Sequence, residues 1–144
     1  MKKILLLIIF CSIYWHSYSQ DNKDLIMYKA DGFYCIVTNE KDEQVSKIPL
    51  GRDPTVFYDK FFKRYDIWYY DKDGVYKAIG LTYLQDDKDG FIRVMDTFKH
   101  TYLLLDKLSL NGKLVYIGEE KLGGYIVTYV VENAVKVDTD KIKY

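Results

Sequence analysis

At 144 residues, with 21 Lys and Arg set against 21 Asp and Glu, the chain has no electrostatic footprint for nucleic acid or for an anionic membrane surface. Hydrophobic residues make up 49% and aromatic residues 17%, which suits a single domain able to bury a core without staples. Two histidines and two cysteines in the whole chain exclude a zinc site built from several such ligands once the first nineteen residues are set aside, because only His100 and Cys35 then remain.

Those first residues read as a secretory signal. Lys2 and Lys3 precede an apolar run from Ile4 to Phe10, and Ser17 and Ser19 supply the small side chains that cleavage after Ser19 requires. The run is shorter than the roughly 20 residues of a spanning helix, so no membrane span is expected. A lipid anchor at Cys11 is disfavoured by Phe10, a large residue where the processing enzyme needs a small one. The expected organisation is a signal peptide over 1–19 and a single β-rich domain over 20–144, exported to the periplasm, the cell surface or the medium. Cys35, inside the apolar run Phe33 to Val37, reads as a small buried hydrophobe.

Leu25 to Ala30 and Phe33 to Thr38 flank Asp31-Gly32, a pair suited to a tight turn, and predict a first hairpin. Asn39 to Ser46 follows as a charged loop. Asp53-Pro54 then offers an N-cap and a first helical residue, and Phe57, Phe61 and Tyr65 recur at four-residue spacing, which predicts a short helix near 54–64.

Tyr65 to Phe98 reads as two successive hairpins on near-identical turns, Asp71-Lys72-Asp73-Gly74 and Asp87-Lys88-Asp89-Gly90, with flanks rich in aromatic and β-branched residues. Further turn signals at Asn111-Gly112 and Gly123-Gly124 space the remaining strands closely enough to force neighbour-to-neighbour pairing. Tyr125 to Glu132 is apolar on both faces and reads as a central strand. The fold class predicted is all-β: an antiparallel meander of about eight to nine strands forming a small barrel or strongly curved sheet, closed by the helix near 54–64, because closure removes unpaired edges.

The second Asp-x-Asp-Gly turn invites a calcium reading through Asp87, Asp89 and Asp96, since hard cations are held by carboxylates spaced around a glycine. Gln85 stands where the first acidic ligand of such a loop belongs, and Asp96 is shorter than the bidentate glutamate that closes one, so ordinary hairpin turns are expected and no metal or other cofactor. The single histidine, His100, sits in a polar turn, and no Gly-x-Ser-x-Gly elbow or glycine-rich phosphate loop is present, so no catalytic residue is assigned.

The compositional excess is aromatic. With Asp71 to Gly74 as the loop, Trp68 faces Lys77 and Tyr70 faces Val75, so that Trp68, Tyr70 and Lys77 share one face as a candidate ligand-binding patch. The function expected is a small exported binding or envelope-associated protein without catalytic activity, its aromatic patch meeting a glycan or protein partner. The alternatives from other classes are a carboxylate-dependent hydrolase and a secreted inhibitor or immunity protein.

Overall fold

A computed structural model describes residues 24–138 and contains almost nothing but strands. The segment 1–19 read above as a signal peptide, with Cys11 and the expected cleavage after Ser19, lies outside the described residues. Ten strands run in chain order: β1 (Leu25–Lys29), β2 (Gly32–Thr38), β3 (Gln44–Asp59), β4 (Arg64–Tyr70), β5 (Tyr76–Asp86), β6 (Ile92–Met95), β7 (Thr101–Lys107), β8 (Lys113–Gly118), β9 (Ile126–Glu132) and β10 (Val135–Lys136). From β2 to β9 each strand pairs antiparallel with the next, and β9 pairs back onto β2, so eight strands close an up-and-down barrel. The two remaining strands extend it, β1 pairing with both β3 and β10.

Successive strands alternate in direction, which gathers the connections 39–43, 71–75, 96–100 and 119–125 at one end, called the upper end below. The connections 60–63, 87–91 and 108–112 lie at the lower end. Period-2 alternation turns Phe33, Val56, Ile67, Leu81, Leu104 and Val131 into the barrel, where they are all but inaccessible to water. β9 lies between β2 and β8, as each strand of the closed barrel lies between two others, so its two apolar faces do not set it apart in the sheet. Cys35 is buried, as its apolar run predicts.

The structure corrects two local expectations. No helix forms near 54–64: Thr55 to Asp59 are the last residues of β3, paired with β4 on one side and β1 on the other, and only the turn 60–63 follows. Asp53 and Pro54 do mark a discontinuity, but it is a bulge, with Asp53 at φ 49° and the ladder to β4 skipping from Arg52 to Thr55. A proline within a sheet is confined to places where its missing N–H is not needed, and a bulge is one of them. The four-residue spacing of Phe57, Phe61 and Tyr65 was therefore an even-numbered spacing along a strand and turn rather than a helical stripe. Among the described residues the one α-helix is α1 (Leu108–Asn111), a single turn between β7 and β8.

The second correction concerns the first hairpin. β1 and β2 do not pair with each other; they lie end to end along β3, β1 against Thr55 to Asp59 and β2 against Gln44 to Gly51. Ala30 crosses the bulge by donating its N–H to the Pro54 carbonyl at 2.9 Å. Gly32 is needed for space rather than for a turn: a Cβ there would lie 2.8 Å from Glu132 Cγ.

Candidate functional site

β4 turns Tyr65, Ile67 and Tyr69 inward, so Asp66, Trp68 and Tyr70 stand on the outer wall of the barrel. There Trp68 stacks on Tyr76 with ring centroids 5.0 Å apart and 28° between planes, and Tyr70 lies 4.8 Å from Tyr76 on its other flank. Tyr76 is half exposed and Tyr70 nearly so, whereas Trp68 is intermediate in burial and outside the core cluster. Below the indole an open cleft of about 360 Å3 is lined by Leu25, Phe57, Asp66, Trp68 and Tyr76. Asp66 is held by Arg64 at 3.1 Å, so a polar pair borders the aromatic row.

Of the three residues predicted to share this face, the structure keeps Trp68 and Tyr70 together and separates Lys77 from them. The ladder pairs Tyr70 with Tyr76, Tyr69 with Lys77 and Trp68 with Ala78, one residue out from the expected register. The cause is the Asp71 side chain. Its Oδ1 accepts the N–H groups of Asp73 and Val75, both at 2.9 Å, and its own N–H donates to the Val75 carbonyl, which draws Val75 into the loop. A one-residue slip sends every side chain of the strand to the opposite face. Lys77 accordingly sits on the Tyr69 side, with Nζ 3.1 Å from Asp71 Oδ2, a bond that raises the lysine and helps lower the aspartate. Ala78 takes the place expected for Lys77 and Tyr76 the place expected for Val75, so the patch is more aromatic and less charged than alternation alone implied.

Asp87, Asp89 and Asp96 do not converge. Asp87 takes the Lys88 N–H at 2.7 Å and Arg93 Nη2 at 3.3 Å, and Arg93 Nε reaches on to Glu119 at 2.7 Å, which is itself anchored by Thr101. Asp89 projects from the same lower-end turn with φ 58°. Asp96 belongs to the upper-end turn between β6 and β7, where Oδ1 accepts the N–H of Phe98 and of His100 at 2.9 Å each, and Oδ2 accepts Tyr102 Oη at 2.8 Å. Burial pushes the Asp96 carboxyl up, but these donors together outweigh it and hold the group below the usual carboxylate range. Among the described residues no three His, Cys, Asp or Glu side chains come together in a way that would hold a metal ion.

A second aromatic group, which sequence reasoning missed, occupies the upper interior. Tyr116 and Tyr129 stack at 4.7 Å with 8° between planes, and Tyr102 meets Tyr116 nearly at right angles at 5.3 Å. The signal was present, since Tyr102, Tyr116 and Tyr129 fall on the inward phase of β7, β8 and β9 beside Leu104, Leu114 and Val131. What was missing was their relative register, which brings Tyr116 opposite both Leu104 and Tyr129. Burial pushes all three phenols up, Tyr116 furthest. Cys35, opposite Tyr129 in the ladder, has its thiol pushed up by burial as well, so it lacks the thiolate a nucleophile needs.

No family model, curated protein or solved structure matches this chain. Its chemistry is therefore read from the geometry: a row of stacked and tilted aromatic rings outside, a tyrosine-lined recess inside, and carboxylates tied to arginine, lysine or backbone donors. Among the described residues no helix is long and apolar enough to cross a membrane, a statement that does not extend to spanning strands.

Proposed function

We propose that this chain is an exported, non-catalytic binding protein of the cell envelope or its surroundings that docks a glycan on the outer wall formed by β4 and β5. The observation that carries the reading is the row Trp68–Tyr76–Tyr70, three rings in contact on a solvent-facing wall. Amphipathic rings held rigidly by strand backbone give large contact area at little entropic cost, and the flat C–H face of a sugar ring complements them. Asp66 and Arg64, paired beside the cleft under Trp68, supply an acceptor and a donor for ring hydroxyls.

The absence of chemistry in this reading rests on the state of the acids. Asp87 and Glu119 are both bridged by Arg93, and Asp96 accepts three donors, so each is tied up in fixed contacts rather than placed as a free carboxylate to move a proton. Export rests on the basic, apolar and small-residue pattern of residues 1–19. The test is a panel of soluble oligosaccharides titrated against the intrinsic fluorescence of Trp68, the sole tryptophan once the signal is removed. A saturable change with at least one neutral oligosaccharide is expected, and a flat response across the panel overturns the glycan reading.

A further inference from the structure

The barrel wall is incomplete near its upper end. β5 pairs with β4 along Tyr76 to Thr82, but its ladder with β6 begins only at Thr82 and runs downward to Asp86. Above that point the edge of Tyr76 to Leu81 has no strand partner on the β6 side, and a recess of about 200 Å3 opens between Ala78, Ile79 and Gly80 and the turn Asp96-Thr97-Phe98. Tyr102, Tyr116 and Tyr129 form its inner lining. One water occupies about 30 Å3 of liquid, so there is room for a molecule of several heavy atoms.

Three features of this recess point the same way. Its lining includes the faces or edges of four aromatic rings and one ionised carboxylate, Asp96, and contains no lysine or arginine. The unpaired strand edge presents backbone N–H and C=O groups alike, so it offers carbonyl acceptors beside donors that water can satisfy. Tyr116, only 1% exposed, has a hydroxyl with no protein partner at all. A buried hydroxyl without a partner costs about 1–3 kcal/mol, so its retention in the lining of a recess needs a reason. Aromatic rings, carbonyl oxygens, a phenol oxygen and a fixed negative charge share a preference for positive charge that carries N–H donors.

We infer that the recess between β5 and the β6–β7 turn is a binding site for a small protonated amine, its ammonium group directed at Tyr116 Oη and the rings of Tyr102 and Tyr129. This site lies inside the barrel, apart from the outer row of Trp68, and stands whether or not that row binds a glycan.

The experiment titrates the purified protein with isobutylammonium chloride and with isobutanol, its neutral isostere, following tyrosine ring resonances by NMR. Isobutylammonium is expected to saturate with a Kd about tenfold or more below that of isobutanol, the order a partly desolvated cation–π contact supplies. Tyr116→Phe keeps the ring and removes the hydroxyl, and is expected to weaken the amine about fivefold or more. Equal affinity for amine and alcohol overturns the inference, as does an unchanged Kd in Tyr116→Phe. No saturable shift with either probe means that water alone fills the recess, and overturns it too. A blocked lysine titrated alongside separates the two sources of an ammonium group: tighter binding of the blocked lysine than of isobutylammonium reassigns the recess to a polypeptide side chain and overturns the small-molecule reading.

Discussion

Trp68 stacks on Tyr76 although the two are not opposite each other in the ladder: Trp68 pairs with Ala78 and Tyr70 with Tyr76, so the indole reaches diagonally across the β4–β5 hairpin. The small Ala78 leaves the space over which the larger ring extends. A diagonal contact between large rings is within reach on one face of an antiparallel pair, and it turns two neighbouring residue pairs into one continuous aromatic surface.

The unpartnered hydroxyl of Tyr116 makes a stability prediction. Removing a buried donor that has nothing to bond relieves a desolvation cost, so Tyr116→Phe is expected to stabilise the fold by about 1 kcal/mol in urea unfolding. A loss of similar size would mean that the hydroxyl has a partner in solution.

The fold and its turns were legible in the sequence to an unequal degree, and the reason is physical. Turn chemistry is local, so Asp71 to Gly74, Asp87 to Gly90 and Gly123-Gly124 announced the ends of strands correctly. Register is not local. It was shifted by one residue at β4–β5 because Asp71 captures the Val75 N–H, and that single bond moved Lys77 off the face of Trp68. The bulge at Asp53-Pro54 was legible as a break but not as a bulge, because a cap and a bulge use the same residue types. The tyrosine recess depends on which strands are neighbours after closure, and single-strand alternation does not contain that information.

Alkaline pH supplies a second test of the interior. Tyr65, buried and donating to Asp106 at 2.7 Å, and Tyr116 have pKa values raised above the ordinary phenol range, both chiefly by desolvation. Each stays protonated in the folded state at a pH where the unfolded chain has lost the proton. The folded state then binds more protons than the unfolded state, and stability falls as pH rises above about 10, by about 1.4 kcal/mol per pH unit for each of the two. Urea unfolding between about pH 9 and 11, one unit either side of the free phenol, should show this steep loss. Tyr116→Phe should reduce the slope by about 1.4 kcal/mol per unit, and an unchanged slope would remove Tyr116 from the account.

Close approach at the upper end predicts a third outcome. A Cβ on Gly51 would lie 2.3 Å from the Tyr69 ring and 2.8 Å from the Tyr70 carbonyl, and the second of these is backbone that cannot swing aside. Gly51→Ala is expected to cost about 1–3 kcal/mol by thermal or urea unfolding, the usual range for forced overpacking. A neutral effect would mean that β3 and β4 separate there more easily than the packing implies.

The most direct measurement of the binding reading is Trp68→Ala, examined for affinity and for stability together. Trp68 is on the outer wall and outside the core cluster, so its truncation should leave the barrel folded, with a cooperative melt and a stability loss below the roughly 3–5 kcal/mol typical of a core tryptophan. Against an oligosaccharide that the wild type binds, calorimetry should record an affinity loss of about 2 kcal/mol or more, the size expected of a central aromatic anchor. Unchanged affinity, or a drop in melting temperature large enough to place Trp68 among the core residues, would contradict the account.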